Sequence, residues 1–314
     1  MSAAEIAPRT PRSVEPPATG AQEHEPPATY YGRPVLKAPV WTDEVGLYFF
    51  TGGLAGASGA LALAARLAGR PRLARSARIA GLIGAGASAP LLIADLGRPS
   101  RFLHMLRVLK PTSPMSLGTW VLTSFGGAST VANLCALTGR LPGLGLAADA
   151  LAGALGLPLT TYTAVLVSNT AVPAWHEARR ILPFVFAAGA ATSAASVAAV
   201  LTPPDEAAPA RRLAVASAVA ELVTFRLMER QLGPLAEPYE AGRAAPLARL
   251  ARGCMAAGAG IMAAGRGRRA ATFVGAAALL VGTVAKRLAI LHAGSDSANS
   301  TVGLNTVRAP LPPL

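Results

Sequence analysis

The chain has 314 residues, 52% of them hydrophobic and only 14% charged, with a mean hydropathy of +0.42. Soluble domains carry about 25% charged residues, so this composition reads as a polytopic membrane protein. The net charge of +13 does not point to nucleic acid, because the bases form short clusters between apolar runs and not a basic domain with interleaved aromatics; the charge is read as topological.

Residues 1–40 are rich in proline, with no continuous apolar core of the kind a signal peptide needs. They read as a flexible tail. At its end YYGRPVLKAPVW, Tyr30 to Trp41, mixes aromatics, prolines and bases in a way that suits lying against a partner. Apolar runs of about twenty residues, the length that crosses a bilayer core, then follow at Val45–Leu67, Ser76–Leu96, Ser116–Thr138, Ala147–Val172, Ile181–Leu201, Leu213–Leu232, Ala248–Ala264 and Ala270–Leu291. The expected fold is an all-α integral membrane protein, an eight-transmembrane-helix bundle in two four-helix halves over residues 41–292. Residues 293–314 read as a second flexible tail. An even number of spans puts both termini on one side, and a slight excess of Lys and Arg there favours the cytoplasmic side.

Small residues fill these segments, as in GGLAGASGALALAA and AAGAGIMAAG. Such runs let helix backbones approach closely where lipid gives no hydrophobic drive for association. Cys135 and Cys254 lie far apart inside apolar runs, without metal-ligand spacing, and read as packing residues.

The stretch Ala94 to Trp120, ADLGRPSRFLHMLRVLKPTSPMSLGTW, stands apart. It joins the second and third segments through a loop carrying Asp95, Arg98, Arg101, His104, Arg107 and Lys110. Asp95 falls at the membrane boundary, where an unpaired charge is costly; it is either a proton acceptor or headgroup partner, or a salt-bridge partner of Arg98 or Arg101. The bases are either a docking surface or a topology signal. Tyr162 lies in the most polar segment, among Thr160, Thr161 and Thr163, so its hydroxyl needs a partner. Tyr48 lies in the first segment, below Trp41, Asp43 and Glu44. Membrane tyrosines serve as interfacial anchors or as ligand contacts.

Glu221, in the middle of the sixth segment, is a candidate proton-path residue or the partner of Arg226. Lys286 and Arg287, near the end of the last segment, are placed to snorkel to the interface. His24 is in the tail, His104 and His176 are in loops and His292 is at a helix end, so no pair of histidines faces another within helices as a bis-histidine haem requires. Neither haem nor an iron–sulfur cluster is expected in this chain, and no metal site.

YFFTGGLAGASG in the first segment, ADLGRPSRFLHMLRVLKPTSPMSLGTW across the second and third, and the Tyr162 segment closing in Pro173–Trp175 together resemble the NrfD/PsrC family. These are the polysulfide-reductase-type membrane subunits of bacterial respiratory complexes. The resemblance covers about Trp41 to Pro183, and the second half by its hydrophobic pattern. It implies an eight-helix protein of the bacterial cell membrane without its own metal centre, binding an exchangeable menaquinone or ubiquinone near one membrane face. It also implies a ferredoxin-like iron–sulfur partner subunit, with a molybdopterin catalytic subunit beyond. Carried onto this chain, the family's quinone pocket is Tyr48, Asp95 and Tyr162, with Asp95 handling the proton and the Arg98–Lys110 loop under the partner. Tyr48 departs from the histidine that some members carry; a phenol can hydrogen-bond a quinone carbonyl but shuttles protons less well at neutral pH. Two other readings remain, a proton-coupled or ion transporter using Asp95, Glu221 and the polar fourth segment, and a purely structural membrane anchor.

Overall fold

The computed structural model describes Pro39, residues 41–96 and residues 98–299. The expected N-terminal tail, apart from Pro39, and residues 300–314 of the expected C-terminal tail lie outside the described residues, as does the Tyr30–Trp41 segment apart from Pro39 and Trp41.

Every long element is a helix. In chain order they are α1 (Asp43–Leu67), α2 (Pro71–Ala94), α3 (Pro114–Thr138), α4 (Pro142–Ser168), the short α5 (Pro173–Glu177), α6 (Leu182–Leu201), α7 (Ala208–Leu232), α8 (Ala244–Ala264) and α9 (Arg269–Asn299). Starts are set by proline in the first turn of α2, α3 and α4, where its missing N–H costs nothing. Ser113 caps α3 by accepting from the Ser116 N–H at 3.4 Å, and Gly139 ends it in the left-handed region at φ 65°.

Among the described residues six helices, α1, α2, α3, α4, α6 and α9, are long and apolar enough to cross a membrane. This establishes an all-helical, multi-pass membrane protein. The helices at the expected sixth and seventh positions, α7 and α8, are not among the six. Charges run the length of α7, from Arg211 and Arg212 through Glu221 to Arg226, Glu229 and Arg230, and α8 carries Arg249 and Arg252. Several helices also begin earlier or end later than their apolar runs. α2 starts at Pro71, so Arg72 and Arg75, which precede the apolar run Ser76–Leu96, are helical, and α9 continues through residues 293–299, expected as a flexible tail.

The helices pack as two groups. In the first, α1 lies against α2 and α4, and α3 against α4 and α2; in the second, α6 lies against α7 and α9, and α8 against α9 and α7. Contacts of α6 with α1, α2 and α4, and of α9 with α1, join the groups. Each group contains a crossing at which two glycines meet backbone to backbone. A Cβ on Gly56 of α1 or Gly156 of α4 would overlap the other's carbonyl, and Gly258 of α8 and Gly275 of α9 are related in the same way.

Alternating helix direction places two faces. The terminal face gathers the start of α1, the ends of α2, α4, α7 and α9, and the segments between them. It is tied by Thr42 to Asp95, Trp175 to α9 and Arg243 to Asp296. The opposite face is tied by Asp149, 2% exposed, which pairs with Arg66 at 2.5 Å and Arg78 at 2.9 Å, and by Arg72 with Asp205 and Glu206.

Candidate quinone site at the terminal face

Tyr48 of α1 and Tyr162 of α4 lie about two turns from the glycine contact of these helices, and their hydroxyls hydrogen-bond each other. The rings meet edge-on, with centroids 6.3 Å apart. Tyr48 is 1% exposed. The ring of Tyr162 lies over Gly118 of α3, where any Cβ would overlap it. The glycine in SPMSLGTW is therefore the space in which the Tyr162 ring sits. Around the pair stand further polar atoms that apolar helices rarely hold together. The Ser88 hydroxyl of α2 donates to Thr51 of α1 at 2.9 Å and lies close to its own Gly84 carbonyl at 2.8 Å.

Asp95 follows the last residue of α2 and accepts a hydrogen bond from the Thr42 hydroxyl, just before α1, at 3.1 Å. Tyr48 is six residues further along α1, about 9 Å of helix rise, so Asp95 sits at the rim and the tyrosines one to two turns deeper. Among the described side chains Asp95 forms no ion pair; the Arg101 side chain lies outside the described set. The structure therefore gives Asp95 a neutral partner where the sequence offered Arg98.

An apolar cleft of about 300 Å³ opens between α2 and α3, lined by Leu82, Ala85, Ala89, Leu92, Thr119 and Leu122 among others, and closed toward the terminal face by Phe102 and Met105. Thr119 follows the glycine under Tyr162, and Ala85 and Leu122 belong to the same buried cluster as Tyr48. Neither tyrosine lines the cleft itself, which reaches their neighbourhood through Thr119, Ala85 and Leu122.

Residues 99–106 form a 3-10 helix over this end. Arg98, His104, Arg107 and Lys110 are exposed, and so are Leu103, Val108 and Leu109, at 68%, 66% and 56%. The loop is held to α3 by the Ser116 hydroxyl, which donates to the Val108 carbonyl at 3.1 Å and accepts from the Lys110 N–H at 3.0 Å. The surface thus mixes bases with exposed aliphatic side chains.

Trp41 stacks on Trp175 with centroids 5.3 Å apart, and the Trp175 indole donates to the Ile290 carbonyl at 2.7 Å. His292 meets Asp43 at 3.1 Å. These contacts fix the start of α1 to α9. The sequence flagged Trp41, but nothing local in it gave the partner 134 residues away.

Glu221 is not part of this site. It lies in the second group, fully buried, with Lys286 Nζ at 3.6 Å. Arg287, 1% exposed, donates to the Phe186 carbonyl at 2.8 Å and lies over the Phe186 ring at 3.9 Å. The snorkelling expected of Lys286 and Arg287 is corrected by this burial: α9 runs to Asn299, so both lie well inside the helix. Arg226 pairs with Glu229 at 3.1 Å, and Arg252 joins it at 2.8 Å, so the alternative pairing of Glu221 with Arg226 is not formed.

The other histidines are separate: His104 is exposed on the loop and His176 contacts the Ser168 carbonyl. Among the described residues no cluster of three His, Cys, Asp or Glu side chains could hold a metal ion. A family model described as polysulfide reductase, of the NrfD type, matches residues 28–300. The match takes in the second group of helices, where the sequence offered only its hydrophobic pattern. No curated protein matches the chain.

Proposed function

Because the chain belongs to the NrfD family of polysulfide reductase membrane subunits, we propose that it is the quinone-reactive membrane subunit of a respiratory oxidoreductase complex of the bacterial cell membrane. In this reading all eight long helices span the bilayer, with Glu221 and Glu229 buried between helices and the exposed Arg212, Arg226, Arg230 and Arg249 toward the helix ends. The observation that carries it is the hydroxyl pair of the buried Tyr48 and the partly buried Tyr162, one to two helix turns below Asp95.

The chemistry divides among these groups. Tyr48 and Tyr162 hydrogen-bond the oxygens of a menaquinone or ubiquinone headgroup and orient it. Oxidation of a quinol releases two electrons and two protons. Asp95 takes one proton at the rim, passes it to bulk water and then takes the second, Thr42 holding its carboxylate in place. The electrons pass to a ferredoxin-like iron–sulfur subunit docked over Arg98, Arg101, His104, Arg107 and Lys110, and from it to a molybdopterin catalytic subunit; reduction of the quinone runs the same steps backwards. The exposed leucines between the bases give that surface the apolar core a docking site needs.

The test is gentle solubilisation of the tagged chain. The expected preparation contains iron with acid-labile sulfide and binds a quinone analogue; a metal-free monomer indifferent to the analogue overturns the reading and favours transport or simple anchoring. Replacing Asp95 with Asn lowers quinone-linked turnover by on the order of 100-fold with the complex still assembled, and unchanged turnover removes Asp95 from the mechanism. A proton-conducting reading draws on one observation, the buried group of Glu221, Lys286 and Arg287.

A further inference from the structure

At the opposite face, the carboxylates of the described residues are already engaged. Asp149 holds Arg66 and Arg78, and Asp205 and Glu206 hold Arg72. The corner where α7 begins and α8 turns into α9 has arginines alone: among the described residues Arg211, Arg212, Arg266, Arg268 and Arg269 have no carboxylate partner.

Two clefts meet at this corner. One, of about 500 Å³, runs between the end of α6, the start of α7 and the start of α9; its walls include Leu201, Thr202, Arg269 and Phe273. The other, of about 370 Å³, runs between α7 and α8, with Arg212, Val215, Met262 and Arg266 in its walls. Arg211 and Gly267 line both. The Arg211 guanidinium lies across the α8–α9 turn, with Nη2 only 2.9 Å from the point a Cβ on Gly267 would occupy. Gly267 has φ 85°, so a side chain there would be strained and would push the guanidinium away. Arg211 thus forms the ridge between two apolar-walled clefts, with further guanidinium groups on either side.

Thr202, in the wall of the larger cleft, is 5% exposed, and its hydroxyl has no hydrogen-bond partner among the described residues. A buried hydroxyl without a partner costs stability unless a ligand or water completes it. Leu201 and Phe273, at 49% and 61% exposure, extend the wall toward the lipid.

We propose that this corner is a binding site for an anionic phospholipid carrying two phosphates. The headgroup straddles Arg211, one phosphate facing Arg269 and Thr202 and the other facing Arg212 and Arg266, while the acyl chains run down both clefts. Phosphate is the shared chemistry of the lipid and of free diphosphate; the apolar walls commit the site to the lipid.

The experiment uses the detergent-purified protein with its accompanying subunits, stripped of lipid and followed by native mass spectrometry and thermal unfolding. The probes are tetraoleoyl cardiolipin, dioleoyl phosphatidylglycerol, dioleoyl phosphatidylcholine and inorganic pyrophosphate. One cardiolipin is retained, phosphatidylglycerol is held more weakly, and pyrophosphate does not displace the cardiolipin. The pair Arg211→Gln with Arg269→Gln weakens cardiolipin on the order of ten-fold or more. The charge-keeping pair Arg211→Lys with Arg269→Lys stays within about three-fold of wild type. Equal retention of phosphatidylcholine, displacement by pyrophosphate, no loss in the Gln pair, or a loss in the Lys pair as large as in the Gln pair each overturns the proposal. Unfolding of the lipid-free variants checks the fold: a Gln pair that melts with wild type but loses lipid supports the site. One that melts far below the Lys pair while holding cardiolipin as tightly as wild type overturns it.

Discussion

The hydroxyl of Tyr48 on α1 bonds the hydroxyl of Tyr162 on α4, so each tyrosine finds its hydrogen-bond partner on the other helix. One O–H donates in this bond and the other remains available, so on the proposed reading a quinone oxygen entering here would accept from the free O–H without breaking the pair.

Removing one hydroxyl breaks that balance. Tyr48→Phe and Tyr162→Phe each leave the other hydroxyl buried without its partner, a cost of about 1–3 kcal/mol. The double variant melts above the sum of the two losses, because no orphan remains. Thermal unfolding measures the coupling, and both single variants are expected to lower quinone-linked turnover. An additive cycle would mean that the hydroxyls do not interact.

Gly118→Ala places a methyl group on the Tyr162 ring. The ring must move, so turnover falls while the helices stay assembled. Gly127→Ala, two turns along the same helix in open space, is the control and leaves turnover unchanged. If both variants behave alike, the Tyr162 position does not matter to the site.

Gly156→Ala acts on the fold itself. Its methyl group would enter the Gly56 backbone, which cannot yield as a side chain can. Overpacking costs typically about 1–3 kcal/mol, and here it separates α1 from α4. A lowered unfolding temperature with reduced yield of assembled complex is the expected result; wild-type melting would contradict the close crossing.

Glu221→Gln leaves Lys286 and Arg287 buried without a counter-charge, and breaking a buried ion pair costs about 3–5 kcal/mol. The variant is expected to melt well below wild type while the fraction that remains folded turns over normally. Normal melting with impaired proton release would instead make Glu221 a proton-path residue.

The helical plan was legible because each span must supply about twenty apolar residues; the eight runs fall on the eight long helices, six of which, all but α7 and α8, are apolar enough to cross a membrane. The ends were less legible. Arg72, Arg75 and Arg78 look like a basic turn in sequence, yet Arg72 and Arg78 serve as helical ion-pair donors to acids on the α6–α7 connection and on α4. The partners of Glu221 were also hidden. Arg226, five residues on, is the local choice, but five residues place it off the Glu221 side of the helix. Lys286 arrives from α9, a distance in sequence that no local pattern encodes. Tyr48 and Tyr162 were each visible as polar groups needing a partner; that the partner is the other tyrosine follows from the glycine crossing, which only the folded helices reveal.

The two glycine crossings bear on how this molecule can move. α1 with α4, and α8 with α9, are locked at backbone contact and behave as rigid pairs. A rocking motion would have to part the halves along α6, separating Phe49 from Phe186, whose rings lie 5.6 Å apart, and tearing Trp175 from the Ile290 carbonyl. The bundle is braced at that seam, so its mechanics favour a fixed frame through which small, diffusible carriers pass over a machine that alternates between two shapes.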